Sequence, residues 1–202
     1  MLFVKCMLLL LIVAGEIDAN SGSLREYSLR KDYFNGIKVA EFTVTDISKK
    51  TVYYRIESKF SFMPKFELID YSSKQVVGNL DSKVGSITLS LLDSKTGQRL
   101  TGSMKAHLTL TKGLRYTIEL AGRQIKMESN LFSTLTTFRD ESQDGAILAR
   151  FQRESFSPIT ATTYGLQVYS NDIPDGLYML ALAWTDIGRS ESYTNGMLKW
   201  KN

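Results

Sequence analysis

The chain has 202 residues, 25 Lys and Arg against 21 Asp and Glu, one histidine, one cysteine and three prolines. That length fits one domain able to bury a core without covalent staples. A single cysteine and a single histidine exclude a disulfide framework and a zinc-type Cys/His cluster.

Met1 to Lys5 supply one positive charge, Cys6 to Ala14 an unbroken apolar run, and Gly15 to Ala19 a small and polar exit. This layout predicts a secretory signal peptide over residues 1–19, cleaved after Ala19 or after Gly15. The run from Met1 to Gly15 falls short of the ~20 apolar residues of a spanning helix and contains Lys5. Cleavage would leave one domain, 20–202, with no transmembrane span, secreted or lumenal. Cys6 leaves with the signal peptide, and the chain carries no Asn-x-Ser/Thr acceptor for an N-glycan.

From there to residue 170 the sequence alternates with period two. Ile37, Val39 and Glu41 stand against Lys38, Ala40 and Phe42, and "FELID" (66–70), "HLTLT" (107–111), "YTIEL" (116–120), "LFSTLTTF" (131–138), "AILARFQ" (146–152) and "YGLQVY" (164–169) repeat the pattern. Such alternation predicts half-buried antiparallel strands. The connectors are short and rich in turn formers, as in "DYSSKQ" (70–75), "DSKTGQ" (93–98) and "RDESQDG" (139–145). "FELIDYSSKQVVG" and "ITLSLLDSKTGQRLTG" are two copies of one hairpin unit. About ten to twelve strands at this spacing predict a barrel or sandwich.

"DIPDGLYMLALAWTDIG" (172–188) breaks the alternation. Asn171 or Asp172 can cap a helix, Pro174 fits its first turn and Gly188 can end it. Leu177, Tyr178, Met179, Leu180, Leu182 and Trp184 would point in every direction, and a helix apolar all round is buried or in a membrane. Fourteen residues from Pro174 to Ile187, bracketed by Asp175 and Asp186, are too few for a bilayer. The expected fold is therefore mainly β, an antiparallel barrel of about twelve strands closed around a buried hydrophobic helix at about 174–187.

"YYRIESKFSFMPKFELIDYSSKQVVGNL" (53–80), with its successive hairpins, and "IPDGLYMLALAWTDI" (173–187) resemble the LURP-one-related branch of the tubby C-terminal-like superfamily, which also holds the phospholipid scramblases. The likeness runs from about Val52 to Trp200. It implies a tubby-like barrel, no enzymatic activity, and membrane-related or interaction roles: tubby domains bind phosphoinositides, and scramblases are associated with Ca²⁺-dependent lipid movement. The sequence has no proline-rich or cysteine-rich acylation segment of the scramblase kind. "GRSESYTNGMLKWKN" (188–202) offers neither an acidic Ca²⁺ loop nor a membrane span.

No residue pattern supplies catalysis, a metal or a cofactor. His107 alternates with Leu108 and Leu110 and should face outward beside Lys105, without the oriented carboxylate of a catalytic relay. Asp70 and Asp93 close equivalent strands, where Asx-turns explain them better than a glycosidase pair. Asp140, Glu141 and Asp144 miss the EF-hand spacing and read as a polar loop. Neither GxGxxG nor a Walker sequence occurs.

One surface stands out. Between Lys95 and Met127 lie Lys95, Arg99, Lys105, Lys112, Arg115, Arg123 and Lys126 against Glu119 alone, net +6, whereas 128–154 is net −2. This concentration is expected to face an anionic partner, either anionic lipid headgroups or an extracellular polyanion. Specific nucleic acid is disfavoured because Tyr116 is the one aromatic among these cations and should point inward. The alternatives are a carrier of a small hydrophobic ligand, or a structural or interaction domain with no ligand.

Overall fold

The period-two pattern resolves into twelve strands among the described residues, in a computed structural model. These residues are 22–32, 40–59, 61, 63–109, 113–129, 133–155 and 161–199, with the backbone alone at 108–109, 113–114, 155 and 188–199. The strands are β1 (Arg25–Lys31), β2 (Phe42–Thr45), β3 (Val52–Lys59), β4 (Lys65–Asp70), β5 (Val76–Lys83), β6 (Ser86–Leu92), β7 (Arg99–Thr109), β8 (Gly113–Leu120), β9 (Arg123–Ser129), β10 (Leu135–Asp140), β11 (Ala146–Ser155) and β12 (Thr163–Val168). Each pairs antiparallel with its chain neighbours, and β1 closes the barrel by pairing with both β2 and β12. The signal-peptide segment, Ile37 to Val39 of the first alternating stretch and Lys112 lie outside the described residues.

Alternate side chains point inward, so Phe66 and Leu68 of β4, Ile118 and Leu120 of β8 and Phe138 of β10 are buried. The helix α1 (Gly176–Lys199) fills the space they enclose with its first part, as far as Ile187. Seven consecutive residues, Leu177 to Ala183, have no exposed surface. An amphipathic helix on a sheet would leave about half of these in water, so this part of α1 is surrounded on all sides. Burying its large side chains contributes roughly 10–20 kcal/mol gross. A run of rings links helix to wall, with Tyr178 to Phe138 at 5.0 Å and Phe138 to Phe151 at 5.8 Å between centroids.

Two glycines set how closely helix and wall approach. A Cβ on Gly78 of β5 would sit 3.2 Å from Leu180 Cδ1 and 2.9 Å from Leu91 Cδ2, and one on Gly176 would sit 2.7 Å from Leu68 Cδ2.

Several details differ from the sequence expectation. Neither Asn171 nor Asp172 caps the helix. Asp175 occupies the position before Gly176, its carbonyl accepting from the Met179 N–H at 3.3 Å, and its carboxylate is taken by Arg25 and Tyr27. Gly188 does not stop α1, whose backbone stays helical to Lys199. Glycine costs only about 1 kcal/mol inside a helix and ends one only where the chain turns left-handed. Trp184 is half-buried rather than fully enclosed, packed against the core while Thr185 and Ile187 beyond it are buried. β1 carries no clear apolar alternation, since its inward face is Arg25, Tyr27, Leu29 and Lys31, with cations at both ends.

Candidate binding surfaces

The antiparallel order gathers the turns at 46–51, 71–75, 93–98, 121–122 and 141–145, together with the segment 169–175, at the rim where α1 begins. Arg25 organises this rim. Its guanidinium grips Asp175 bidentately, Nε to Oδ2 at 2.6 Å and Nη2 to Oδ1 at 2.8 Å, and Nη2 also donates to the Ser170 carbonyl at 3.0 Å. The Tyr27 hydroxyl donates to Asp175 Oδ2 at 2.7 Å. The hydrogen bonds that Arg25 donates to Asp175 hold its guanidinium above the ordinary range, while burial, then the bond to Asp175, pushes the Tyr27 phenol upward. At the far end of the same strand Lys31 pairs with Asp186. β1 therefore clamps α1 at two points, using the two aspartates that bracket the apolar run.

Beside this clamp lies a cleft of about 420 Å³ between the 93–95 turn, β3–β5 and the entry to α1. Lys95 reaches across it, its Nζ donating to the Asn171 carbonyl at 2.6 Å. Asp70 and Asp93 on its edge are turn residues. Asp70 accepts from the Ser73 N–H at 2.7 Å and Asp93 from the Lys95 N–H at 2.9 Å. Those backbone bonds, followed by the hydroxyls of Ser72 and Thr96, hold both carboxyls below the usual range. Their carboxylates serve the local backbone, as expected.

The seven predicted cations are divided by the fold. Lys95, Arg99 and Arg123 stand at the rim where α1 starts. Lys126 lies mid-strand, Lys105 and Arg115 lie toward the other end, and Lys112 is outside the described residues. Three have acidic partners from beyond the 95–127 window. Arg123 pairs with Asp140 and, at 3.5 Å, with Asp172; Arg115 pairs with Glu128 at 3.5 Å; Lys126 pairs with Glu141. Register explains this, because Arg115 faces Glu128 across β8–β9. Arg99 and Lys105 form no ion pair among the described residues, and Lys95 forms none either but stands within electrostatic reach of Asp93. Arg99 donates to the Val76 carbonyl at 3.2 Å and to the Ser90 hydroxyl at 3.3 Å, and Lys105 is exposed on β7.

His107 is exposed beside Lys105, 3.0 Å from the Thr117 hydroxyl. Asp140 is not a solvated loop residue. It closes β10 with no exposed surface, and Gly145 and Ser142 N–H groups bond to its carbonyl and carboxylate at 2.9 and 2.8 Å. No group of three His, Cys, Asp or Glu among the described residues is placed to hold a metal. No helix among them is long and apolar enough to cross a membrane. The clamp residues Arg25, Tyr27 and Lys31 escaped sequence reasoning. Their signal was the pair Asp175 and Asp186, two charges flanking a buried helix that each require a partner.

A family model described as LURP-one-related matches residues 26–184. No curated protein matches, and no solved structure does.

Proposed function

Because that match spans most of the chain, the protein belongs to the LURP-one-related family of the tubby-like superfamily, and we propose that it is a secreted or lumenal module binding an anionic partner on the outside of its barrel. The family's domain is a non-enzymatic tubby-like barrel. The observation that carries this reading is the filled interior: Leu177 to Ala183 occupy the space a carrier would need for its ligand. That leaves the outer surface for recognition, and on the predicted hairpins Arg99 and Lys105 are the described cations that form no ion pair, Lys95 being held by the Asn171 carbonyl near Asp93.

The reading of secretion rests on the charge, apolar run and small polar exit of residues 1–19, and the predicted cleavage after Ala19 falls before both β1 at Arg25 and the family match at residue 26. N-terminal sequencing of protein recovered separately from medium and from cells tests this, with a start near Asn20 expected in the medium. An uncleaved chain confined to cells would move the partner to cytosolic membranes.

Binding is tested on immobilised heparin. Exposed charges are screened over about 10 Å at 0.1 M salt, so affinity should fall steeply as ionic strength rises. Arg99→Gln with Lys105→Gln should weaken binding about 30-fold, at about 1 kcal/mol per surface cation. An affinity indifferent to both salt and these substitutions would count against the reading.

A further inference from the structure

On the outside of the barrel one row of residues runs across the strands from β10 to β2. Register sets Leu135 of β10 opposite Gln152 of β11, Gln152 opposite Gly165 of β12, Gly165 opposite Ser28 of β1, and Ser28 opposite Thr45 of β2. The middle of the row is low, because Gly165 has no side chain and Ser28 a short one, and this leaves a trench of about 360 Å³. Arg150, Gln167 and Glu26, the next outward row, form one wall, and Glu154 stands on the other. Both ends are apolar and open to solvent, with Leu135 39% exposed and Ile47 of the β2–β3 turn 60% exposed.

The fold itself does not require glycine at 165. Glycine weakens a strand and is kept where something must come close. At Gly78 and Gly102 that something is the protein, since a Cβ would sit 2.9 Å from Leu91 Cδ2 and 2.2 Å from the Glu119 carbonyl oxygen. At Gly165 a Cβ would meet only Glu154, 2.7 Å from Oε1, the movable end of an exposed side chain. Its φ is not left-handed, and the β11 bulge at Glu154 lies further along, opposite Thr163 and Tyr164. Polar groups in the trench are likewise unused. Ser28 is only 6% exposed, yet its hydroxyl makes no hydrogen bond among the described residues. Arg150 Nε is buried with no acceptor, its guanidinium lying 5.7 Å from the Tyr169 ring centre and forming no ion pair among the described residues. Glu154 forms none there either, whereas Glu26 is occupied by the Ser23 hydroxyl at 2.5 Å and the Gln167 amide at 3.1 Å. Donors left without acceptors on a buried floor point to a ligand that supplies them.

We propose that this trench binds an extended peptide segment of a partner protein, with an acidic side chain toward Arg150 and a basic one toward Glu154. From β10 to β2 the interstrand steps of about 4.8 Å give roughly 19 Å, which about six extended residues span at about 3.3 Å each. Successive side chains of an extended chain point to opposite sides, so neighbouring residues of opposite charge reach opposite walls. Gly165 lets the partner's backbone approach the sheet, Ser28 and Gln152 offer it hydrogen bonds, and Leu135 and Ile47 each receive an apolar residue. Glu26 and Glu154 would repel a polyanion, and an uncharged glycan would leave Arg150 and Glu154 without counter-charges. The trench shares no residue with Arg99 or Lys105, so the inference goes beyond the polyanion reading and does not rest on it.

The test is selection of a phage-displayed random hexapeptide library on the immobilised full chain, followed by fluorescence-anisotropy titration of the enriched peptides. These should pair an acidic residue with a neighbouring basic one and carry an apolar residue at an end. Gly165→Val fills the trench and suits a strand, so it should melt no lower than wild type and weaken peptide binding about tenfold. Arg150→Gln should also weaken it about tenfold by removing a charged hydrogen bond, and it keeps the test open should the valine variant fail to fold. Neither substitution should alter heparin binding, and Arg99→Gln with Lys105→Gln should leave the peptides bound. The proposal is overturned if the library yields no enriched peptide, if enriched peptides bind both trench variants as they bind wild type, or if Arg99→Gln with Lys105→Gln abolishes their binding.

Discussion

Asp140 ends β10 with no exposed surface, and its ionised carboxylate is tolerable there because Arg123 lies against it. Burial pushes its pKa up, but the Arg123 guanidinium and the Ser142 N–H outweigh that and hold it below the usual range. Arg123→Met would leave a buried carboxylate unpaired and should cost about 3 kcal/mol, a melting temperature lower by roughly 6–12 °C in a domain this size. The same logic sets the acid limit. Asp46, Asp70, Asp93 and Asp140 all have depressed folded pKa values, so their contribution is complete above the ordinary carboxylate range near pH 4 and is lost as pH falls through the folded values. Thermal melts at pH 7 and pH 3 should differ, and Asp70→Asn with Asp93→Asn should shrink that difference. At the alkaline end burial raises Tyr27, Tyr54 and Tyr178, so stability should decline above about pH 10, where the unfolded phenols ionise first.

For α1 the expected fault lines are steric and electrostatic. Gly78→Val would drive a branched side chain into Leu180 and Leu91 and should destabilise by about 1–3 kcal/mol, read from denaturant midpoints. Leu180→Asp would place an unpaired carboxylate among residues with no exposed surface and should yield no folded protein, and a soluble variant with wild-type melting would refute the enclosed helix. The sequence made α1 legible because seven enclosed residues cannot be written with a polar face. It did not make β1 legible, because that strand gives half its inward positions to the cations that hold Asp175 and Asp186. A strand whose buried face is partly ionic looks like a surface segment until its partners, some 150 residues away in the chain, are located beside it.

Across the whole molecule, strand number and closure followed from spacing and alternation, and the family match agrees with the resemblance carried by 53–80 and 173–187. The surface was less legible. A tally of charge along the chain gave net +6 for 95–127, but barrel register sets Arg115 beside Glu128 and Lys126 beside Glu141, so part of that excess is cancelled across strands. Conversely, Ser28, Gln152 and Gly165 drew no notice until strand pairing set them in one row. Outward side chains combine by position in the barrel, and a linear count has no access to that coordinate.

The seam of this barrel has a consequence in time. Arg25 lies opposite Val168, and the two clamps on α1 join β1 to residues 175 and 186. During synthesis the first strand must therefore wait, unpaired on one edge, until nearly the last residues of the domain emerge. Contacts of such sequence separation are slow to form. Until they do, β12 and β1 each expose a free edge, and the apolar segment that becomes α1 has no enclosure. A nascent chain shorter than about residue 187 should be aggregation-prone and protease-sensitive, and resistance should appear in one step once that segment is complete, as limited proteolysis of stalled chains would register. Closure of this domain therefore waits for its final strand and helix, so the chaperones or compartment the chain meets at that stage bear on how much of it reaches the closed barrel.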